Sequence, residues 1–313
     1  MKILNLAAAG ALALGASALG VSGLAHADDD VASATLSSDA LVTTQNLDTY
    51  WSADRMESAT PADVLVADAQ AGDTEVAATE EFQRPATSVT DTGIAATPEE
   101  PQATVGKVFF TLGGSDYVCS GNSVASDNGS VVATAGHCLN EGPGDFASNW
   151  VFVPAYENGD APYGQWAAED LVTSRAWAEE GDINYDVGFA VMGTNDSGQN
   201  LGDVVGGTGV EFGADRGQDY DAYGYPAAPP FDGESLQSCS GSAEDDPRQG
   251  GSTQGINCDM TGGSSGGPWF LGNGNQNSVN SYGYDGLDMM YGPEYGDVAL
   301  EVYESAQSDS EVQ

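Results

Sequence analysis

The sequence predicts an all-β protein, and three observations predict it. From Val105 onward, short runs of β-branched and aromatic residues alternate with clusters of Gly, Asn, Asp and Pro, the texture of many short strands joined by tight turns. The alternation of strand and helix that marks a doubly wound sheet is missing. A single segment, at the end of the chain, carries a helical pattern. Candidate strands cover 105–112, 131–133, 150–153, 187–192, 220–225, 269–271 and 278–284, a number and spacing that fit a barrel or a sandwich. From Asp297, a good N-cap, Ala299, Val302, Tyr303 and Ala306 fall on one helical face before a polar tail. No internal repeat is present.

Composition divides the chain into three. Lys2 followed by an apolar, Ala-rich run to Leu24 and the small-x-small triplet Ala25-His26-Ala27 reads as a signal peptide over 1–27, and so predicts a secreted, extracellular protein. Residues 28–103 are rich in Ala, Asp, Glu, Thr and Ser, with one Trp, one Tyr and one Phe. That composition buries little core and reads as a propeptide or disordered acidic leader. Residues 104–313 carry the β pattern and form the expected main domain.

Charge excludes whole classes of partner. The chain has 48 acidic residues against 7 Lys plus Arg, a net charge of −41. Phosphate backbones and anionic lipid surfaces repel such a surface, so neither nucleic acid nor a membrane, once the signal is removed, is an expected partner. No later segment is apolar enough to span a bilayer. Self-repulsion of this size weakens a compact state, and salt relieves it: the Debye length falls from about 10 Å at 0.1 M to roughly 3 Å at 1 M. The acidity therefore fits adaptation to salt as well as ordinary solubility.

Four cysteines, Cys119, Cys138, Cys239 and Cys258, in an exported chain suggest two disulfides in one of three connectivities. Neighbouring pairs are favoured, because each closes a local loop between expected strands. Zinc is a poor alternative: no C-x-x-C occurs, and His137 is the one histidine after the signal peptide. The acidic run Glu244-Asp245-Asp246 lacks the regular spacing of a calcium loop and reads as a solvated charge cluster. No metal or cofactor is expected.

Three segments carry chemistry: Ala133-Thr134-Ala135-Gly136-His137-Cys138, Asn184-Tyr185-Asp186-Val187-Gly188 and Thr261-Gly262-Gly263-Ser264-Ser265-Gly266-Gly267-Pro268. Amide hydrolysis at neutral pH needs an activated hydroxyl, a base for its proton and donors for the oxyanion. Ser265 supplies the hydroxyl, His137 the base, and Asp186 orients the imidazole and stabilises its charged form. The glycines let the N–H groups of Gly263 and Ser265 converge on one oxygen. Each segment alone has a plainer reading, as a Gly-rich loop, a structural histidine or a turn aspartate.

Together they resemble the chymotrypsin-like (trypsin-like) serine protease family. The order His, Asp, Ser matches, and Thr-Ala-Gly-His-Cys and Gly-Ser-Ser-Gly-Gly-Pro resemble its histidine and nucleophile motifs. Cys119-Ser120-Gly121 resembles the strand whose cysteine bridges to the one beside that histidine. The resemblance implies two six-stranded antiparallel β-barrels, with His137 and Asp186 from the first, Ser265 from the second, and protein or peptide substrates. It also implies that Ser281-Tyr282-Gly283 is the strand edge on which substrate pairs.

Two departures matter. Ser264 stands where animal members carry the Asp that receives a new N-terminus, so activation by that ion pair is not expected and the chain looks closer to bacterial secreted relatives. Counting back from Ser265, Asp259 aligns with the pocket floor that selects Arg or Lys, with Gly283 at the pocket mouth. The glutamyl endopeptidase branch instead has a pocket His, where this chain has Asn280. The expected activity is therefore serine endopeptidase, with Arg or Lys favoured before the scissile bond. The non-enzyme alternative is an inactive protease fold used for binding. An esterase of the α/β-hydrolase type is disfavoured by the chain order.

Overall fold

Val105–Leu112 and Ser115–Val124 form a hairpin closed by Gly113 and Gly114. Their φ values of 57° and 83° are those that a two-residue turn between antiparallel strands demands. In the computed structural model, which describes residues 30–36, 46–66, 95–251, 253–284 and 286–308, this hairpin starts a closed barrel. The expected signal peptide lies outside the described residues.

The barrel runs through Trp166–Ser174, Ser148–Pro154, Val105–Leu112, Ser115–Val124, Val131–Thr134 and Gly188–Met192, and closes where Gly188–Met192 pairs back on Trp166–Ser174. Its interior holds Val108, Phe110, Val132, Trp150, Phe152 and Phe189, each no more than 1% exposed. The second half holds a five-stranded sheet, ordered Gln276–Val279, Pro268–Leu271, Asp219–Gly224, Gln237–Ser242 and Thr97–Pro98. A three-stranded sheet of Glu244–Asp245, Gln254–Asn257 and Met289–Gly292 accompanies it. Tyr220, Ile256, Met260, Trp269 and Met290 pack between them. The chain is thus mostly β, with one closed six-stranded barrel and, where a second was expected, a five-stranded and a three-stranded sheet packed together. The neighbouring cysteines pair: Cys119–Cys138 and Cys239–Cys258, each spanning 19 residues.

The C-terminal helix is Asp297–Ser308, with Ala299, Val302 and Ala306 buried against the barrel strands Trp166–Ser174 and Gly188–Met192. Strand 278–284 differs from expectation. Pairing with Pro268–Leu271 stops at Val279, and from Ser281 the chain turns to Tyr291 instead.

The leader packs more than its composition suggests. Val31–Thr35 adds to the barrel beside Ser174 to Asp170. Trp51 is 1% exposed against Phe109, 5.7 Å between ring centres. Arg55 grips Asp116 with two hydrogen bonds of 2.7 and 2.9 Å. The reason is local: Leu47, Tyr50, Trp51 and Met56 concentrate the leader's bulky side chains in one short stretch. The sparse average over the leader hides it.

Candidate active site

His137 sits on a single 3-10 turn, Gly136–Cys138, that follows barrel strand Val131–Thr134. A side chain at Gly136 would lie 3.0 Å from the Asp186 carboxylate and 2.8 Å from Trp177, so only glycine lets the aspartate approach the turn. Asp186 follows a second 3-10 turn, Ile183–Tyr185, whose start is capped by Asp182 accepting the Asn184 N–H at 3.0 Å.

The Asp186 carboxylate is fully buried and takes three donors. Its Oδ1 accepts the His137 backbone N–H at 2.7 Å. Its Oδ2 lies 2.8 Å from His137 Nδ1 and accepts the Ser281 hydroxyl at 2.5 Å. With Nδ1 donating to a carboxylate, the neutral ring carries its lone pair on Nε2. That atom is buried and makes no hydrogen bond with any described group. Trp177 closes one side of the ring, edge-on at 6.2 Å.

Ser265 lies on the loop between Thr261 and Pro268. Gly263 and Gly266 turn it with φ values of 95° and 80°, and a side chain at Gly266 would collide with Thr134 Oγ1 and the Ser120 carbonyl. The first barrel braces this loop. Ser120 N–H donates to the Ser265 carbonyl at 2.7 Å, and Ser120 Oγ to the Gly263 carbonyl at 2.9 Å. Cys138 Sγ is 3.7 Å from the Ser265 carbonyl, so the Cys119–Cys138 bridge, which ties the histidine turn to strand Ser115–Val124, packs against the serine loop. The N–H groups of Gly263 and Ser265 make no backbone hydrogen bond among the described residues, whereas those of Gly266 and Gly267 are engaged by Asn280 and Ser264. Ser264 donates its hydroxyl to the Thr261 carbonyl at 2.8 Å and so closes the turn.

Beside Ser265 opens a cavity of about 860 Å³. Asp259, Ser281 and Gly283 line it, as do Met260, Met289 and Met290. Asp259 Oδ1 accepts the Ala96 N–H at 2.5 Å. Asn280 is not among the lining residues. It is buried behind the serine loop, donating to the Tyr223 and Ser264 carbonyls at 2.8 and 3.0 Å and accepting from Trp269 Nε1 at 2.7 Å.

Asp246, expected to lie in a solvated charge run, turns inward instead. It is 4% exposed and accepts the hydroxyls of Tyr282 and Tyr284, both at 2.7 Å. Burial, and then those hydrogen bonds, push both phenols well above their ordinary range. Nothing in Glu244-Asp245-Asp246 marks which carboxylate turns inward; the one signal is the alternation of Tyr282 and Tyr284 on one side of a strand. Among the described residues, the one group close enough to share a metal ion is Cys119, His137 and Cys138. Both sulfurs are spent in the disulfide, and only thiolates ligate.

No family model matches the chain. A stretch of 74 residues, 24% of this chain, is 34% identical to a Bacillus subtilis (strain 168) protein named extracellular metalloprotease, and the match spans 23% of that protein's length. Solved structures resemble far more of it. The protease Anisep from Arthrobacter nicotinovorans is 58% identical over 68% of this chain and 100% of its own, with a TM-score of 0.67. AL20, a thermostable serine protease from an extremophilic microorganism, is 52% identical over 67% of this chain and 99% of its own, with a TM-score of 0.64. A Glu endopeptidase in complex with MPD shares 20% identity over 68% of this chain and 97% of its own, at a TM-score of 0.56, a likeness of fold alone. Identity above one half across the full length of two proteases, on a barrel that carries this serine loop, leaves one assignment: the chain belongs to the bacterial chymotrypsin-like serine proteases.

Proposed function

We propose that this protease is a secreted endopeptidase that works through an acyl-enzyme, with Ser265 as nucleophile, His137 as general base and acid, and Asp186 as the orienting carboxylate. Ser265 Oγ attacks the scissile carbonyl while its proton moves to His137 Nε2. The N–H groups of Gly263 and Ser265 hold the oxyanion. Return of the proton to the leaving amine breaks the C–N bond and leaves an ester on Ser265, which water hydrolyses by the same path. The observation that carries this reading is the double hold of Asp186 on His137, at 2.7 and 2.8 Å, with Nε2 as the ring atom left over. Residues 28–103 serve as a propeptide, and export through the signal segment fits two disulfides, which persist in oxidising compartments.

Ser265→Ala tests the assignment. Turnover of casein should fall by several powers of ten with the fold intact, and near-normal hydrolysis would overturn it. For primary specificity we favour Arg or Lys. Asp259 and Asp288 both line the cavity, and a carboxylate has about four acceptor sites, so the Ala96 N–H leaves Asp259 free to take a guanidinium. Matched peptides with Arg, Phe or Glu before the scissile bond, cut by wild type and by Asp259→Ser, decide the matter. Best cleavage of Glu or Phe peptides, or an Arg preference that survives Asp259→Ser, refutes this pocket.

A further inference from the structure

The catalytic trio proposed above is covered by the chain's own leader. His137 is 0% and Ser265 4% exposed, although the cavity that Ser265 lines is open. Leader residues Asp63 and Val66 line that same cavity. A side chain at Gly262, in the serine loop, would collide with both carboxylate oxygens of Asp63, so that carboxylate lies directly on the loop that carries Ser265. Burial raises the Asp63 carboxyl, and the nearby His137 works in the opposite sense. Val66 is 3% exposed and inserts among Trp177, Ile183, Tyr282 and Tyr291, two of which belong to the walls around His137 and the expected substrate edge.

The conformation of this segment differs from that of a substrate. Proteases of this architecture bind an extended strand by backbone pairing. Here Leu65 N–H bonds back to the Ala62 carbonyl at 2.9 Å and Val66 N–H to the Asp63 carbonyl at 3.2 Å. The segment is a closed turn, the N–H groups of Leu65 and Val66 are spent within it, and it makes no backbone pairing with Ser281 or Gly283 among the described residues. It is led in by barrel strand Ser115–Val124, where Thr60–Pro61 pairs parallel with Tyr117 and Val118 and Ala62 N–H reaches the Val118 carbonyl at 3.1 Å. Upstream, the Arg55–Asp116 pair and buried Trp51 fix it to the barrel.

We propose that the leader turn 62–66 is an intramolecular inhibitor: it seals His137 and Ser265 in a form that the enzyme cannot cut, while the specificity cavity stays open. The proposal rests on the catalytic reading of Ser265, yet it concerns access and is separable from it. The anchors that hold it among the described residues, Trp51, Arg55 and Thr60–Pro61, are noncovalent and precede the turn, so a cut further along the leader leaves them in place, and activity appears only when the turn itself is displaced.

The test uses the full chain. Val66→Glu drives a charge into the apolar slot, and Arg55→Ala loosens the anchor outside the cleft without touching the site. Two probes are read in each background: a fluorophosphonate on Ser265, and iodoacetamide on a Ser265→Cys chain, which reports access alone. Both substitutions should raise the alkylation rate, Val66→Glu by tenfold or more, with the leader intact by mass spectrometry. Fluorophosphonate labelling should rise in parallel. Faster alkylation without any fluorophosphonate labelling keeps the inhibitor and removes the catalytic reading. Equal alkylation in wild-type, Val66→Glu and Arg55→Ala backgrounds overturns the inhibitor, whatever the serine reagent does. If Val66→Glu fails to fold, Arg55→Ala decides alone.

Discussion

Asp186→Asn is the sharpest probe of the proposed mechanism, because the replacement has the same shape and only its hydrogen-bond sense changes. The carboxylate receives the His137 backbone N–H on Oδ1 and His137 Nδ1 with Ser281 Oγ on Oδ2. An amide has one acceptor oxygen and one donor nitrogen. If the oxygen stays on the backbone N–H, the NH₂ faces Nδ1. The ring must then accept there and carry its proton on Nε2, where it cannot take the Ser265 proton. If the amide is flipped, two donors face each other in a buried site, at a cost of about 1–3 kcal/mol. Ser281 adapts to either arrangement, since a hydroxyl both donates and accepts. The fold therefore survives while the base is lost. The expected fall in kcat is about 10⁴-fold, the size seen for this replacement in the Ser-His-Asp template, or roughly 5.5 kcal/mol of barrier. The assay is steady-state hydrolysis of a peptide amide at neutral pH with leader-free protein, with circular dichroism as the check on folding. A kcat within tenfold of wild type refutes the role given to Asp186.

The Arg55–Asp116 pair sets a pH limit on leader docking. Burial alone would raise the Asp116 carboxyl, but the hydrogen bonds from Arg55 and Thr111, with the Arg55 charge, together hold it below its ordinary range. Its folded value lies below the unfolded one of about 3.9, so the pair contributes fully above that range and is lost as pH falls through the lower folded value. A carboxyl-carbon NMR titration should show Asp116 depressed in the full chain and restored by Arg55→Ala; identical titrations refute it. Replacing Cys239 and Cys258 by Ser opens a loop of 19 residues and should cost about 3 kcal/mol on the chain-entropy model, read by urea unfolding, with a loss under about 0.5 kcal/mol counting against that account. The net charge of −41 predicts a melting temperature at least ~3 °C higher in 1 M than in 0.1 M NaCl, and a flat or falling curve removes the salt reading.

The candidate site's backbone was more legible than the frame around it. The short motifs Thr-Ala-Gly-His-Cys and Gly-Ser-Ser-Gly-Gly-Pro each need special backbone and so leave a local trace, as Gly136 and Gly266 demonstrate. Strands rich in apolar residues, such as Val105–Leu112, also announce themselves. Ser115–Val124 and Trp166–Ser174 do not, because their buried positions include Ser120, Asn122, Asp170 and Thr173. These polar groups find partners distant in sequence, as when the Asn122 amide nitrogen reaches Thr208 and Gln276. Asp246 and the leader turn were hidden for the same reason: each takes its role from residues far along the chain, and a single sequence records no such pairing.

Ser120 carries a consequence for how this enzyme fails. It belongs to a first-half strand, yet its N–H and its hydroxyl are committed across the border with the other half, to Ser265 and to Gly263 and Tyr225, while its carbonyl takes Thr134 of its own barrel. The serine loop is held by Thr261 and Asn280 of its own half, yet its Gly263 and Ser265 carbonyls are held from across the border. Heat or denaturant that parts the two halves removes the catalytic geometry in the same event, without an active half left behind. Residual activity then becomes a direct count of molecules whose halves are joined, and inactivation and global unfolding collapse onto a single cooperative transition.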